Sequence, residues 1–287
     1  MGKIDLEVFE DKFLKKYSIY YELSILVGVD SLCYSIADKY QQFLGLRKYS
    51  YSSPPASFRD LASHVSGIIQ DDSILRRPYA KTRLAIFHPY AALVPNRLYN
   101  DAEKPAYLEK LIHLAPGDLL FSDELPFADA MAVYPLDGKL VESLKAEFPG
   151  ATFCHAASAL SRSLAPLHTD LSPTRIFFNL RDGVVQVFAF DKDDLVLLNA
   201  FTFLESADLV YYLMLVYQQL SWKPESTPLY AAGLLVEDSA IYRNLLRYFP
   251  NLQFVKVPAQ YFQFGARFEL DFRKHWFMDL FSISNGS

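Results

Sequence analysis

Apolar residues alternate with polar ones in some stretches of the chain and recur every three to four positions in others. Switching between these two periods outlines an α/β protein. From Tyr21, "YELSILVGVDSLCYSIADKYQQFLGLRKYSY" is rich in β-branched and aromatic residues. It is interrupted at Asp30-Ser31 and Asp38-Lys39, which predicts three consecutive strands. A helix follows, with Ser57 as N-cap and Leu61, Val65 and Ile68 on one stripe. "KTRLAIFHP" predicts a strand stopped by Pro89.

The order restarts after Pro173. "TRIFFNL", "VVQVFAF" and "LVLLNAFTF" predict a second three-strand meander. "ESADLVYYLMLVYQQLSW" predicts a helix apolar nearly all round, expected between layers. A strand at "PLYAAGL", a helix capped by Asp238 or Ser239, and a strand at "LQFVKVP" complete the run. Between the two runs, residues 90–135 are less regular: a helix over 101–114, then two strands around a Pro-containing turn. A helix at "GKLVESLKAEFP", a strand at "ATFCHA" and a helix at "ASALSRSL" follow. Residues 1–20 carry Leu6, Phe9, Phe13 and Leu14 at roughly helical spacing and read as a loose arm or short helix. The order β-β-β-α-β-α-β thus occurs twice, the first time with an insertion over about 90–135, and predicts a mixed sheet with helices on its faces in each half.

Length agrees with this reading. A chain of 287 residues exceeds the usual single domain, so two lobes are expected, 1–170 and 171–287. A hydrophobic share of 51% supplies a large core. The net charge of −5 lacks the footprint of a non-specific nucleic-acid binder, so nucleic acid is not the expected partner. The local basic cluster Arg76, Arg77, Lys81 and Arg83 keeps an RNA-linked accessory role as a remote alternative, provided those residues share a face with exposed aromatics. The longest apolar run, 209–217, is about half of a membrane span, and no signal-peptide pattern opens the chain. Cys33 and Cys154 stand apart, and no histidines are spaced as metal ligands, so neither a metal nor a disulfide is expected and the cytoplasm fits.

"LSILVGVDSLCYSI", "RLAIFHPYAALVPNRLYN", "DAMAVYPLDGKLVESLKAEFPGATFCHAASAL" and "RIFFNLRDGVVQVFAF" give the chain a resemblance to the uncharacterised Bacteroidetes family DUF3822. More broadly it resembles the duplicated, RNase H-like fold of actin, Hsp70 and sugar kinases, and its first-half insertion is similar to that of FtsA and PilM. The resemblance implies an actin-like ATPase fold whose first turn in each half wraps nucleotide phosphates. It implies a metal-organising Asp before each turn, and a late Gly-Gly pair beside the adenosine.

On that scheme the cleft positions are Asp30, Asn179, Gly183 and Gly233. Each departs from what phosphate binding needs. Gly28 precedes Asp30 and a leucine follows the Ser. Asn179 replaces the Asp, and Asp182-Gly183 is also an ordinary hairpin turn. Gly233 stands alone before Leu234 and Leu235, which are expected to plug the site. The reading is therefore a non-catalytic interaction or scaffold protein with degenerate nucleotide loops, no catalytic residue and an unknown protein partner. The alternative is a nucleotide-binding ATPase holding ATP and magnesium at those four positions. His155, Ser158, Ser161, His168 and Asp170 lack the strand–G-x-S-x-G–helix context of a hydrolase. The C-terminal segment with Trp276, Phe277 and Phe281 is expected to dock on the body of the protein or to bind a partner.

Overall fold

One strand order is used twice, and it follows from the duplicated element order. The computed structural model describes all residues except 1, 30, 53–59, 171, 182, 258, 271, 286 and 287, and leaves aside the side chains of 168–170 and 285. The first run gives β2 (Glu22–Val27), β3 (Ser31–Ala37), β4 (Gln42–Tyr51), α1 (Leu61–Asp71) and β5 (Lys81–Ile86), preceded by β1 (Gly2–Phe9). The inserted segment forms β6 (Ala92–Pro95), α2 (Lys104–Leu108), β7 (Asp118–Leu125) and β8 (Ala130–Asp137), a small antiparallel sheet in the order β6-β8-β7. Then come α3 (Gly138–Glu147), β9 (Thr152–His155) and α4 (Ala156–Leu164).

The second run is β10 (Thr174–Arg181), β11 (Val184–Asp191), β12 (Asp194–Thr202), α5 (Ser206–Gln219), β13 (Leu229–Gly233), α6 (Ala240–Tyr248) and β14 (Leu252–Phe254). A two-residue strand β15 (Gln263–Phe264), α7 (Ala266–Glu269) and α8 (Met278–Ser282) close the chain. The first sheet runs β1-β4-β3-β2-β5-β9 and the second β12-β11-β10-β13-β14. In both, the opening meander is antiparallel and the strands that follow helices are parallel, as crossover connections require.

Each central strand is apolar on both faces because both faces are covered. In β2, Leu23, Ile25 and Val27 join α1 and α3 in one core, while Leu26 points to the other side. In β10, Ile176, Phe178 and Leu180 pack under α5 and α6, and Phe177 faces away. The faces turned away from α1, α3, α5 and α6 meet in a shared core with α4 and α8 between the two sheets. Phe277, Leu280 and Phe281 are fully buried there, so the C-terminal segment docks on its own body.

Three expectations need correction. The leading arm is mostly the edge strand β1, paired antiparallel with β4, and only Lys15–Tyr20 forms a 3₁₀ turn. Edge pairing satisfies its backbone, and this outweighs the helical spacing of its few apolar residues. The helix expected over 101–114 is a 3₁₀ turn at Asp101–Glu103 followed by the five residues of α2. Finally, α5 is not enclosed: Leu209, Leu213, Val216 and Tyr217 are buried, but Tyr211 is 62% and Met214 39% exposed. Only one layer covers this helix, so its outer face meets water although it carries no charge there.

Candidate functional site

The ends of β2, β10 and β13 converge where the shared core begins. β10 and β13 run parallel with Leu180 opposite Gly233. Gly233 has φ +80°, and a Cβ at that position would lie 2.2 Å from the Leu180 carbonyl oxygen and 2.6 Å from Asn179 Oδ1. Two strand ends approach too closely for any other residue, which gives Gly233 a reason within the sheet itself. Gly183 also has positive φ, +75°, closing the β10–β11 hairpin, and its carbonyl accepts from the Phe203 N–H at 2.8 Å. Asp30 and Asp182 lie outside the described residues.

Asn179 and Arg181 project from β10 toward the space between the sheets, and both meet Asp279 of α8. Arg181 Nε and Nη2 donate to the two carboxylate oxygens, each at 2.8 Å. Asn179 Nδ2 donates to Asp279 Oδ2 at 3.2 Å and the Leu280 N–H donates to Oδ1 at 2.8 Å. All three side chains are buried. Arg181 also reaches the first sheet, with Nη1 3.9 Å from Cys33 Sγ, and its Cδ would lie 3.9 Å from a Cβ on Gly28. A buried guanidinium thus stands between the two first-strand turns, neutralised by a carboxylate of the C-terminal helix.

Leu235 does not form the plug. Leu235 turns into the core beneath α5 and α6, and its carbonyl accepts from Trp276 Nε1 at 2.9 Å. The C-terminal segment fills the space instead.

The histidine–serine constellation is structural among the described residues. His155 caps α4, its Nδ1 accepting from the Ala157 N–H at 3.1 Å while Nε2 donates to the His88 carbonyl at 2.8 Å. Burial pushes both His88 and His155 down to about 4. Asp123 accepts from the His155 N–H at 2.7 Å and from the Tyr134 hydroxyl at 3.0 Å, and burial raises its carboxyl above the usual range. Ser161 Oγ donates to the Ser158 carbonyl, and the side chains of His168 and Asp170 lie outside the described residues. Among the described residues no group of three or more His, Cys, Asp or Glu could hold a metal ion. Nor, among the described residues, is any helix long and apolar enough to cross a membrane.

The profile of one family, described as protein of unknown function (DUF3822), matches residues 10–252. The chain belongs to this family. No curated protein matches it. Among solved structures, this DUF3822 chain is similar to a Bacteroides thetaiotaomicron protein with an actin-like ATPase fold and unknown function. The TM-score is 0.76 at 16% identity, over 85% of this chain and 93% of that one. A PilM–PilN type IV pilus biogenesis complex matches with TM-score 0.62 and 12% identity, over 92% of this chain and 97% of that one. At these identities the likeness establishes the fold, which is actin-like.

Arg181 and Asp279 are not marked as site residues by the sequence. A faint signal existed: an Arg at the end of the apolar run "RIFFNLR" and a lone Asp inside "WFMDLFSI" are charges at core-facing positions. That they face each other depends on a contact across 98 residues.

Proposed function

We propose that this DUF3822 protein is a non-catalytic interaction or scaffold protein of the cytoplasm, built as two units, 1–170 and 171–287, that holds a protein partner. The observation that carries this reading is the Arg181–Asp279 pair, seated with Asn179 at the position where the fold resemblance puts the phosphates. Magnesium–ATP at Asp30, Asn179, Gly183 and Gly233 fits the described residues poorly. Asn179 and Arg181 are already committed to a carboxylate, and the backbone around Gly233 is filled by Leu180. The PilM neighbour is seen in complex with PilN, which is consistent with a partner-holding role for this architecture.

Thermal unfolding with and without magnesium–ATP and ADP tests the reading. A ligand at about 100 times its dissociation constant adds roughly 2.7 kcal/mol, which raises the midpoint of a chain of 287 residues by about 4–5 °C. No shift is expected at millimolar nucleotide. A rise of that size, absent in an Asn179→Leu variant of comparable starting midpoint, overturns the proposal in favour of a nucleotide-binding ATPase.

A further inference from the structure

We infer that one end of the first sheet is a binding surface for single-stranded nucleic acid. Three segments meet there. The 3₁₀ turn Lys15–Tyr20 leads into β2, residues 38–41 join β3 to β4, and residues 72–80 lead into β5. Hydrogen bonds hold them together: Arg77 Nη1 donates to the Lys15 carbonyl at 3.1 Å, and the Ala80 N–H to the Tyr21 carbonyl at 2.9 Å. Gln41 Nε2 donates to Glu22 Oε2 at 3.3 Å, and Lys12 Nζ bonds Gln42 Oε1.

This end joins three members of the basic cluster seen in the sequence, Arg76, Arg77 and Lys81, to cations from two other segments. Lys12, Lys15 and Lys16 are exposed before β2, Lys39 is exposed on the hairpin, and Arg76 is exposed on the loop. Arg77 and Lys81 are half-buried beside them. Arg83, grouped with these in the sequence, is buried and paired with Glu22 at 2.6 Å, so it does not belong to the surface. Seven of the chain's 28 Lys and Arg residues therefore share one end of a molecule whose net charge is −5.

Nearby carboxylates offset this only in part. Glu22 is paired with Arg83 and Asp11 with Arg267, while Asp38, whose Oδ1 accepts from the Tyr40 and Gln42 N–H groups, keeps its charge. Asp71, at the end of α1, is the exposed acid that enters the same loop.

Aromatic rings stand among the cations. Tyr17, Tyr20 and Tyr40 are 42%, 64% and 68% exposed. Lys16 and Lys39 lie 5.0 and 4.9 Å from the ring centroids of Tyr17 and Tyr40. Cations tracking a phosphate backbone and open π-faces for unstacked bases are the two elements by which proteins hold single strands without reading sequence. A duplex keeps its base faces stacked and would use only the charge. Leu14 and Ile19 are also exposed here, at 45% and 50%, which an anionic lipid surface could use. The three exposed rings outnumber the two exposed aliphatic side chains and two of them lie beside lysines, an arrangement that suits bases on a phosphate backbone. The surface lies at the opposite end of β2 from Gly28 and Arg181, so the inference stands apart from the scaffold reading.

Fluorescence anisotropy with a labelled single-stranded oligouridine tests this on the full chain. Saturable binding is expected, weakening at least about tenfold between about 50 and 200 mM salt. Tyr20→Ala and Tyr40→Ala should each weaken it by about tenfold, and Lys16→Glu should lower both affinity and salt dependence. All three positions are exposed, so thermal midpoints should stay unchanged. No binding at the lower salt overturns the inference, as does binding untouched by the tyrosine substitutions. Co-sedimentation with phosphatidylserine vesicles without oligouridine binding reassigns the surface to lipid.

Discussion

Arg181 on β10 and Asp279 on α8 form a two-pronged ion pair, 2.8 Å on both arms, in the buried space between the two sheets. Neither group has access to water. Each makes the other tolerable, and together they tie the C-terminal helix to the turn of the second sheet.

Removing one partner is expected to be worse than removing both. Asp279→Ala leaves a buried guanidinium without its counter-charge and should cost about 3–5 kcal/mol. Arg181→Met combined with Asp279→Leu should recover most of that, because apolar groups of similar volume need no solvation. Urea unfolding of the single and double variants reads this directly. A single variant within about 1 kcal/mol of the parent would remove the pair from any structural role.

Asp72 is the second buried acid with a full complement of donors. Tyr34 and Tyr49 hydroxyls donate to Oδ2 at 2.8 Å each, Arg47 Nη1 to the same oxygen at 2.9 Å, and the Ile74 N–H to Oδ1 at 2.7 Å. Burial opposes its ionisation, yet the Ile74 N–H, the two hydroxyls and Arg47 together hold the carboxyl below its ordinary range. Asp72→Ala leaves two phenols without their acceptor while Arg47 keeps Glu7 as its counter-charge, and a loss of about 2–4 kcal/mol is expected in the same urea assay.

The buried histidines make stability depend on pH. Both are pushed from 6.5 down to about 4, so the folded protein keeps them neutral while the unfolded chain protonates them. Their contribution is full above 6.5 and is lost as pH falls toward 4. Each group steepens the slope by up to about 1.4 kcal/mol per pH unit in that window. Asp123, raised by burial, opposes the trend. The clean comparison is therefore His155→Asn, which keeps a capping acceptor for α4 but cannot titrate. Thermal midpoints between pH 7 and 4.5 should fall less steeply for the variant, and identical slopes would contradict the assignment.

Gly233 and Gly150 share a φ of +80° but not a neighbourhood. A Cβ at Gly150 meets nothing within 4 Å, whereas at Gly233 it meets the Leu180 carbonyl oxygen at 2.2 Å. Gly150→Ala should cost about 1–2 kcal/mol of backbone strain. Gly233→Ala adds displacement of a neighbouring strand, for a total of about 2–5 kcal/mol. Equal losses in denaturant titration would show that β13 can move aside.

Most of the fold was legible because short-range physics specifies it. The breaks at Asp30-Ser31, Asp38-Lys39 and Asp182-Gly183 punctuate runs whose period declares strand or helix, and the duplicated order β-β-β-α-β-α-β follows from those runs alone. Sequence narrowed the cap of α6 to Asp238 or Ser239, and the Ser239 hydroxyl accepts from the Tyr242 N–H. What failed locally failed where a distant partner decides. β1 reads as helical until β4 offers its edge, and α5 reads as enclosed because nothing in its composition says that one layer covers it.

The site obeys the same division. Sequence supplied Asn179, Gly183 and Gly233 as positions at strand ends, and marked the loops as departing from phosphate-binding chemistry. Tertiary structure alone placed Asp279 against Arg181 and drew Lys12, Lys39 and Arg77 to one end of the first sheet. Periodicity reports which face of an element is apolar, whereas the pairing of charges across long chain separations is fixed only when the sheets and the helices between them close.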